Sequence, residues 1–178
     1  MSGKSYLRWL TSDTLTTWWN DSADPAEIQR GLERGMTGVT TNPVLVQRTM
    51  RAHAQEWASV VRGLSDALTA EQRAGALVRH VVTTAAKMLE PVYERTVGEL
   101  GYVCAQVNPV IAAKAEEMLD MARRFHSWAP NIAVKLPVTA AGLDTLEECA
   151  AEGITVTATV SFTVPQVLAV GQRYRRSL

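Results

Sequence analysis

The sequence predicts an α/β protein built on parallel strands, and three observations lead there. Short apolar runs alternate with amphipathic helical stretches along most of the chain, joined by short connections except at one long helical insertion. The strands that can be read alternate with period two, apolar on one face and polar on the other. One run, NIAVKLPVT at 131–139, sets a lysine inside a stretch otherwise fit for burial on both faces.

The first strand is expected at Thr16–Asn20, ending at Asp21. DPAE follows, with Asp24 as helix cap, Pro25 at the first helical position and Glu27 closing a capping box. That helix, IQRGLER, stops at Gly35, and TGVTTNP at 37–43 makes a second short strand. From about Val44 to Leu100 the pattern is helical, interrupted at LTAEQ, where Thr69 and Gln72 have capping-box spacing, with Pro91 as a further candidate break. Gly101–Val107 is the third strand, and Asn108-Pro109 opens the helix VIAAKAEEMLDMARRF. Ile132–Leu136, bounded by Asn131 and Pro137, is the fourth strand. Thr139 caps AAGLDTLEECAAE, which ends at Gly153; ITVTATVSF is the fifth strand, and Thr163 with Gln166 frames a second capping box.

At 178 residues and 47% hydrophobic, the chain can bury one substantial core and is read as a single domain, residues 1–178. Lys plus Arg, 18 residues, balances Asp plus Glu, also 18, so charge points to neither nucleic acid nor an anionic membrane. No segment approaches 18 uninterrupted apolar residues, and MSGKSYLRWLTSDTL lacks the apolar centre of a secretory signal. Cys104 and Cys149 lack metal-ligand spacing and read as buried thiols in a reducing compartment. These features predict a cytoplasmic protein. His53, His80 and His126 fall in helical patterns without neighbouring ligand types and receive no chemistry.

Strand parity gathers the polar groups. In the fifth strand Thr155, Thr157, Thr159 and Ser161 oppose Ile154, Val156, Ala158 and Val160; in the third, Tyr102, Cys104, Gln106 and Asn108 oppose Val103, Ala105 and Val107. Lys135 shares a face with Ala133, and Thr40 with Asn42. One face suits covering helices. The other places Asp21, Asn42, Gln106, Lys135 and Thr159 toward strand C-termini, where barrels of parallel strands build their sites. Helix capping and turn chemistry explain Asn108 and Thr139 well, and Lys135, Gln106 and Thr159 poorly. A lysine at a strand end commonly snorkels to solvent; a desolvated lysine instead offers a free amine to a carbonyl. Trp19 shares parity with Asp21 and either lines the floor of the sheet or packs against a helix or subunit.

GVTTNPVLV at 38–46, CAQVNP at 104–109, NIAVKLPVTAAGL at 131–143 and EGITVTATVSF at 152–162 resemble the transaldolase family, which includes the fructose-6-phosphate aldolases. The resemblance implies a (β/α)8 barrel, of which about the first five βα units are present, and a Schiff-base enzyme without metal or organic cofactor. By it, Lys135 is the Schiff-base nucleophile, Asp21 the general acid/base, and Thr159 with Gln106 the pair that positions water. Asn42, Thr40, Thr157 and Ser161 are implied as substrate contacts. Transfer of a dihydroxyacetone unit between sugar phosphates is the implied reaction.

Three departures from the family pattern matter. Gln106 stands where transaldolases carry glutamate; an amide cannot exchange its proton as a carboxylate does, and the aldolase branch carries glutamine in a similar context, which tilts toward cleavage. The long helical insertion before the third strand resembles the larger transaldolases and tilts toward transfer. Thr157 stands where several transaldolases have asparagine, and NDSAD replaces the usual D-x-x-D context around Asp21. The likeness also ends after the fifth unit, whereas a complete barrel takes roughly 250 residues. An open sheet of this kind exposes an apolar edge. The alternatives are therefore a C-terminally incomplete enzyme, completion by self-association or another chain, and a non-catalytic scaffold.

Overall fold

The computed structural model describes residues 5–178 and consists of two compact units that divide within one strand, between Val103 and Cys104. In the first unit, helix α1 (Tyr6–Asp13) precedes strand β1 (Trp19–Asp21), which starts three residues later than the sequence suggested. β2 (Gly38–Thr40) lies parallel to β1, with Trp19 opposite Gly38 and Asp21 opposite Thr40. A β-carbon on Gly38 would stand 2.4 Å from the Trp19 ring, so the indole lies across β2 only because that residue is glycine. This settles the placement of Trp19: it covers the start of β2 on the face shared with Asp21.

Between the two strands runs α2 (Pro25–Glu33), whose Asp24 cap accepts from the amides of Ala26 and Glu27 at 2.8 and 3.2 Å. The expected capping box is incomplete. Glu27 accepts from the Ser22 hydroxyl, and the Asp24 amide donates to that same hydroxyl oxygen at 3.1 Å. Gly35 takes the left-handed conformation (φ +85°) that ends the helix as anticipated.

The helical stretch that follows breaks at a point that no capping or breaker residue marks. α3 (Pro43–Ala52) and α4 (Ala54–Gly63) meet at His53, whose backbone (φ −117°, ψ 38°) leaves the helix. α5 (Ala70–Arg95) begins with the expected Thr69–Gln72 capping box and passes through Pro91 without stopping. Pro91 sits on the exposed side, while Val81, Val82, Ala85, Ala86, Leu89 and Val92 bury the other. Packing of that face outweighs the roughly 3 kcal/mol a proline costs inside a helix. Trp57 of α4 joins Ala23, Val46 and Val81 in a local core.

β3 (Tyr102–Gln106) crosses the division between the units; its first residues run parallel to β2, Val103 opposite Val39. In the second unit, the chain after Asn108 forms a 3-10 turn (Pro109–Ile111), and α6 (Ala115–His126) starts only at Ala115, five residues later than expected. Asn108 Oδ1 binds the Val110 amide, and tight bonds from Ile111 to Asn108 and Ala112 to Pro109 delay the α-helix.

β4 (Ile132–Pro137), α7 (Ala140–Ala151), β5 (Val156–Thr159) and α8 (Val164–Ser177) complete the unit. The strand order is β1-β2-β3-β4-β5, and the registers recorded are parallel. Three helices are tied on the surface, α6 to α7 by Arg123–Glu152 and α7 to α8 by Arg173 with Asp144 and Glu147. No described helix is long and apolar enough to cross a membrane, and no cluster of three metal-ligating side chains occurs among the described residues.

Candidate active site

The lysine strand is the best-buried strand of the second unit. Ile132, Ala133, Val134 and Leu136 are at most 1% exposed, and Lys135 is half-buried between them. Burial of such β-branched and aliphatic side chains contributes about 1.5–3 kcal/mol each. This fixes the strand, and with it the base of the lysine. The backbone around Lys135 is bonded on both sides: the Val107 amide donates to Lys135 O at 3.2 Å, and the Val134 and Val138 amides donate to Thr155 O and Thr159 O, each at 2.8 Å.

The parallel register places Lys135 opposite Thr157 and Pro137 opposite Thr159. Neighbours in register project to the same side of a sheet. Cys104 Sγ lies 3.4 Å from Thr157 Oγ1, so the thiol of β3 and the hydroxyl of β5 meet across β4 on the face that carries Ala133 and Lys135. Gln106, two residues beyond Cys104, is half-buried at the end of β3 on that same strand face. Lys135, Thr157 and Cys104 are thereby gathered in one place, with Thr159 one step further along β5.

The end of β4 is pinned from below by α7. Thr139 accepts from the Gly142 amide at 3.0 Å and donates to Ala112 O at 2.6 Å. A β-carbon on Gly142 would fall 1.9 Å from Pro137 O, so the helix reaches the strand end only through a glycine. Cys149, on the same helix, is fully buried; burial, reinforced by the Glu152 carboxylate, pushes its thiol up to about 11, which leaves it protonated and unreactive at neutral pH.

β5 ends at Thr159, three residues before the sequence-based boundary. Val160 turns into the left-handed region (φ +58°), so the period-two pattern does not continue to Ser161. The Ser161 hydroxyl is buried and has no hydrogen-bond partner in the structure. Gln166 spans the turn: its Oε1 accepts from the amides of Phe162 and Thr163 at 2.9 and 3.1 Å, and its Nε2 donates to Val160 O at 3.0 Å and Val138 O at 3.5 Å.

Asp21, Thr40 and Asn42 belong to the first unit. Asp21 is exposed at the end of β1 beside half-buried Thr40. Asn42 caps α3, its Oδ1 accepting from the amides of Val44 and Leu45, both at 3.0 Å, while Nδ2 takes no part in the cap. Directly after Asp21 lies a polar latch: His53 Nε2 is 2.6 Å from Asp24 Oδ2 and its Nδ1 is 3.3 Å from Glu56 Oε1. The hydrogen bond with Asp24 raises the His53 imidazole above its ordinary value, against the effect of burial. Burial pushes Asp24 up, but His53 and the helix amides outweigh it and hold the carboxyl below its ordinary value.

Three residues escaped the sequence reading of the site and its surroundings. Cys104 carried a usable signal, since strand parity already set it with Gln106. Gln166 was visible as a cap, but not its second pair of bonds. His53 meets an aspartate 29 residues away, which no local pattern reveals.

Comparison with known proteins agrees with the motifs. Residues 18–175 match the family described as Transaldolase/Fructose-6-phosphate aldolase. The chain is 34% identical over 148 residues to a transaldolase of Thiobacillus denitrificans, covering 82% of this chain and 41% of the relative. It is 30% identical over 167 residues to the Neisseria gonorrhoeae transaldolase, covering 90% and 48%. Against transaldolase 2 of Nostoc punctiforme it is 30% identical over 178 residues, covering 98% and 46%. The chain thus spans about half the length of the curated relatives it matches.

Proposed function

Since the chain belongs to the transaldolase/fructose-6-phosphate aldolase family, we propose that it contributes Schiff-base chemistry on ketose phosphates, with Lys135 as nucleophile and no cofactor. The observation that carries this reading is the position of Lys135: half-buried in a strand whose other central residues are core, opposite Thr157, with Thr159 opposite Pro137 two residues on. A lysine there is held by its strand on the face shared with Thr157.

In this reading the Lys135 amine adds to the ketose carbonyl at C2, and loss of water gives an iminium. The iminium withdraws electrons as C3–C4 breaks. The C4 hydroxyl loses its proton to a general base, assigned by motif to Asp21, and an aldose phosphate leaves. The remaining enamine holds a dihydroxyacetone unit. Its attack on a second aldose phosphate, with the proton returned to the new hydroxyl, completes transaldolase transfer. Hydrolysis of the iminium by a water held between Gln106 and Thr159 frees the lysine. Asn42 through Nδ2, Thr40, Thr157 and Ser161 are assigned to substrate hydroxyls.

A second reading, cleavage without transfer as in fructose-6-phosphate aldolases, is favoured by one observation: the residue that ends β3, on the strand face shared with Cys104, is Gln106, an amide where transaldolases have a carboxylate. Cytoplasmic location, supported by two cysteines outside any disulfide, and assembly with a second copy or a completing chain belong to the same proposal. The decisive experiment is intact mass after incubation with fructose 6-phosphate and borohydride, with peptide mapping. A reduced adduct on Lys135 is expected; a folded chain that stays unlabelled at Lys135 overturns the reading.

A further inference from the structure

Val160 and Val97 are the two described non-glycine residues in the left-handed conformation, and they differ in setting. Val97 is 91% exposed, in the turn that ends α5, where left-handed residues are routine. Val160 immediately follows Thr159 at the C-terminal end of β5. A β-branched residue in this region is sterically unfavourable, and such strain persists only where surrounding structure imposes it. The same turn carries a second unfavourable feature, the buried and unpartnered Ser161 hydroxyl.

What imposes the turn is Gln166. Half of its carboxamide does ordinary work, with Oε1 capping the start of α8. The other half does something a cap does not require: Nε2 donates to Val160 O and Val138 O, carbonyls that follow the ends of β5 and β4. It therefore continues the cross-strand tie one step beyond the last ladder bond, from the Val138 amide to Thr159 O. From this geometry we propose that Gln166 is a positioning residue, stitching the ends of β4 and β5 and holding the strained Val160 turn so that Thr159 stays fixed relative to Lys135. The role assigned to Thr159 and Lys135 rests on the function proposed above.

Gln166→Glu separates the two duties, because a carboxylate keeps the acceptor for the Phe162 and Thr163 amides and loses the Nε2 donor. In the full chain, Tm should hold. Exchange of the Val138 amide should accelerate about tenfold or more as the strand ends loosen. Borohydride labelling of Lys135 at sub-saturating fructose 6-phosphate should slow by about tenfold, the scale of a misplaced site. Val160→Asn tests the strain: asparagine accepts the left-handed conformation, so Tm should rise by about 2–4 °C in the wild-type background and by less in Gln166→Leu, where Val160 is free to relax. Val97→Asn should raise Tm without altering Val138 exchange or Lys135 labelling.

Unchanged Val138 exchange in Gln166→Glu overturns the stitch. Faster exchange with unchanged labelling overturns the positioning role. A wild-type chain that never labels overturns the Lys135 reading and the positioning role with it, while exchange still reports whether the stitch exists.

Discussion

β4 and β5 are neighbours in register, yet one is buried and the other is not. Four of the six residues of β4 are core, whereas all four residues of β5 are half-buried, and α8, which follows β5, buries none of its residues. β4 has β5 on one side and the backbone of Val107 on the other, while β5 is the last strand in the order. β4 (IAVKLP) is mostly aliphatic, whereas β5 (VTAT) alternates threonine with small apolar residues, so composition and place in the sheet together yield unequal anchoring. The nucleophile candidate sits on the rigid strand and the water-positioning candidate on the weaker one. That division explains why the weaker strand carries a side-chain tie at its end.

The largest expected effect is on chemistry. Lys135→Met should abolish the borohydride adduct while circular dichroism and Tm remain close to wild type; retention of the adduct elsewhere would detach the site from β4. Next comes Gly142→Ala, which places a methyl on Pro137 O and should lower Tm by about 5 °C or more or prevent folding, since backbone has to move. Core truncation then compares the strands directly. Leu136→Ala, at 1% exposed, should cost about 2–4 kcal/mol in denaturant unfolding, and Val156→Ala about 1 kcal/mol or less. Equal costs would erase the difference between the strands.

The smallest effect lies in the first unit and depends on pH. The native Asp24 value is lowered from 3.8, so its contribution is full above about pH 4 and fades as pH falls through that lowered value. The native His53 value is raised from 6.5, so its contribution is full below that point and fades as pH rises through the raised value. Thermal stability should therefore gain from this pair between about pH 4 and 6.5. His53→Gln should flatten the decline above pH 6.5; an unchanged Tm profile would show that the latch contributes nothing.

Periodicity and cap spacing were enough to read most of the architecture. The five strands show in local apolar patterning although their pairing is long-range, and the Thr69–Gln72 and Thr163–Gln166 boxes and the glycine stops at 35 and 153 rest on interactions within a few residues of one another. The misses have tertiary causes. α5 continues through Pro91 because its opposite face is buried, the α3–α4 break falls at a histidine bonded to an aspartate 29 residues away, and β5 stops early at a left-handed Val160 whose carbonyl accepts from a side chain of α8. Strand parity likewise placed Lys135 and Thr157 on one face. It was blind to Cys104 meeting Thr157, which depends on how two side chains lean across an intervening strand.

Both cysteines are buried and outside any disulfide, and both lie beyond the division between the units, Cys104 in β3 and Cys149 in α7. The first unit contains no sulfhydryl at all. A maleimide or disulfide reagent thus acts as a clock wired to one half of the molecule: its rate counts openings of the lysine-bearing unit and is deaf to the other. Substrate that closes the Schiff-base site should slow that clock, giving a label-based readout of occupancy that needs no turnover.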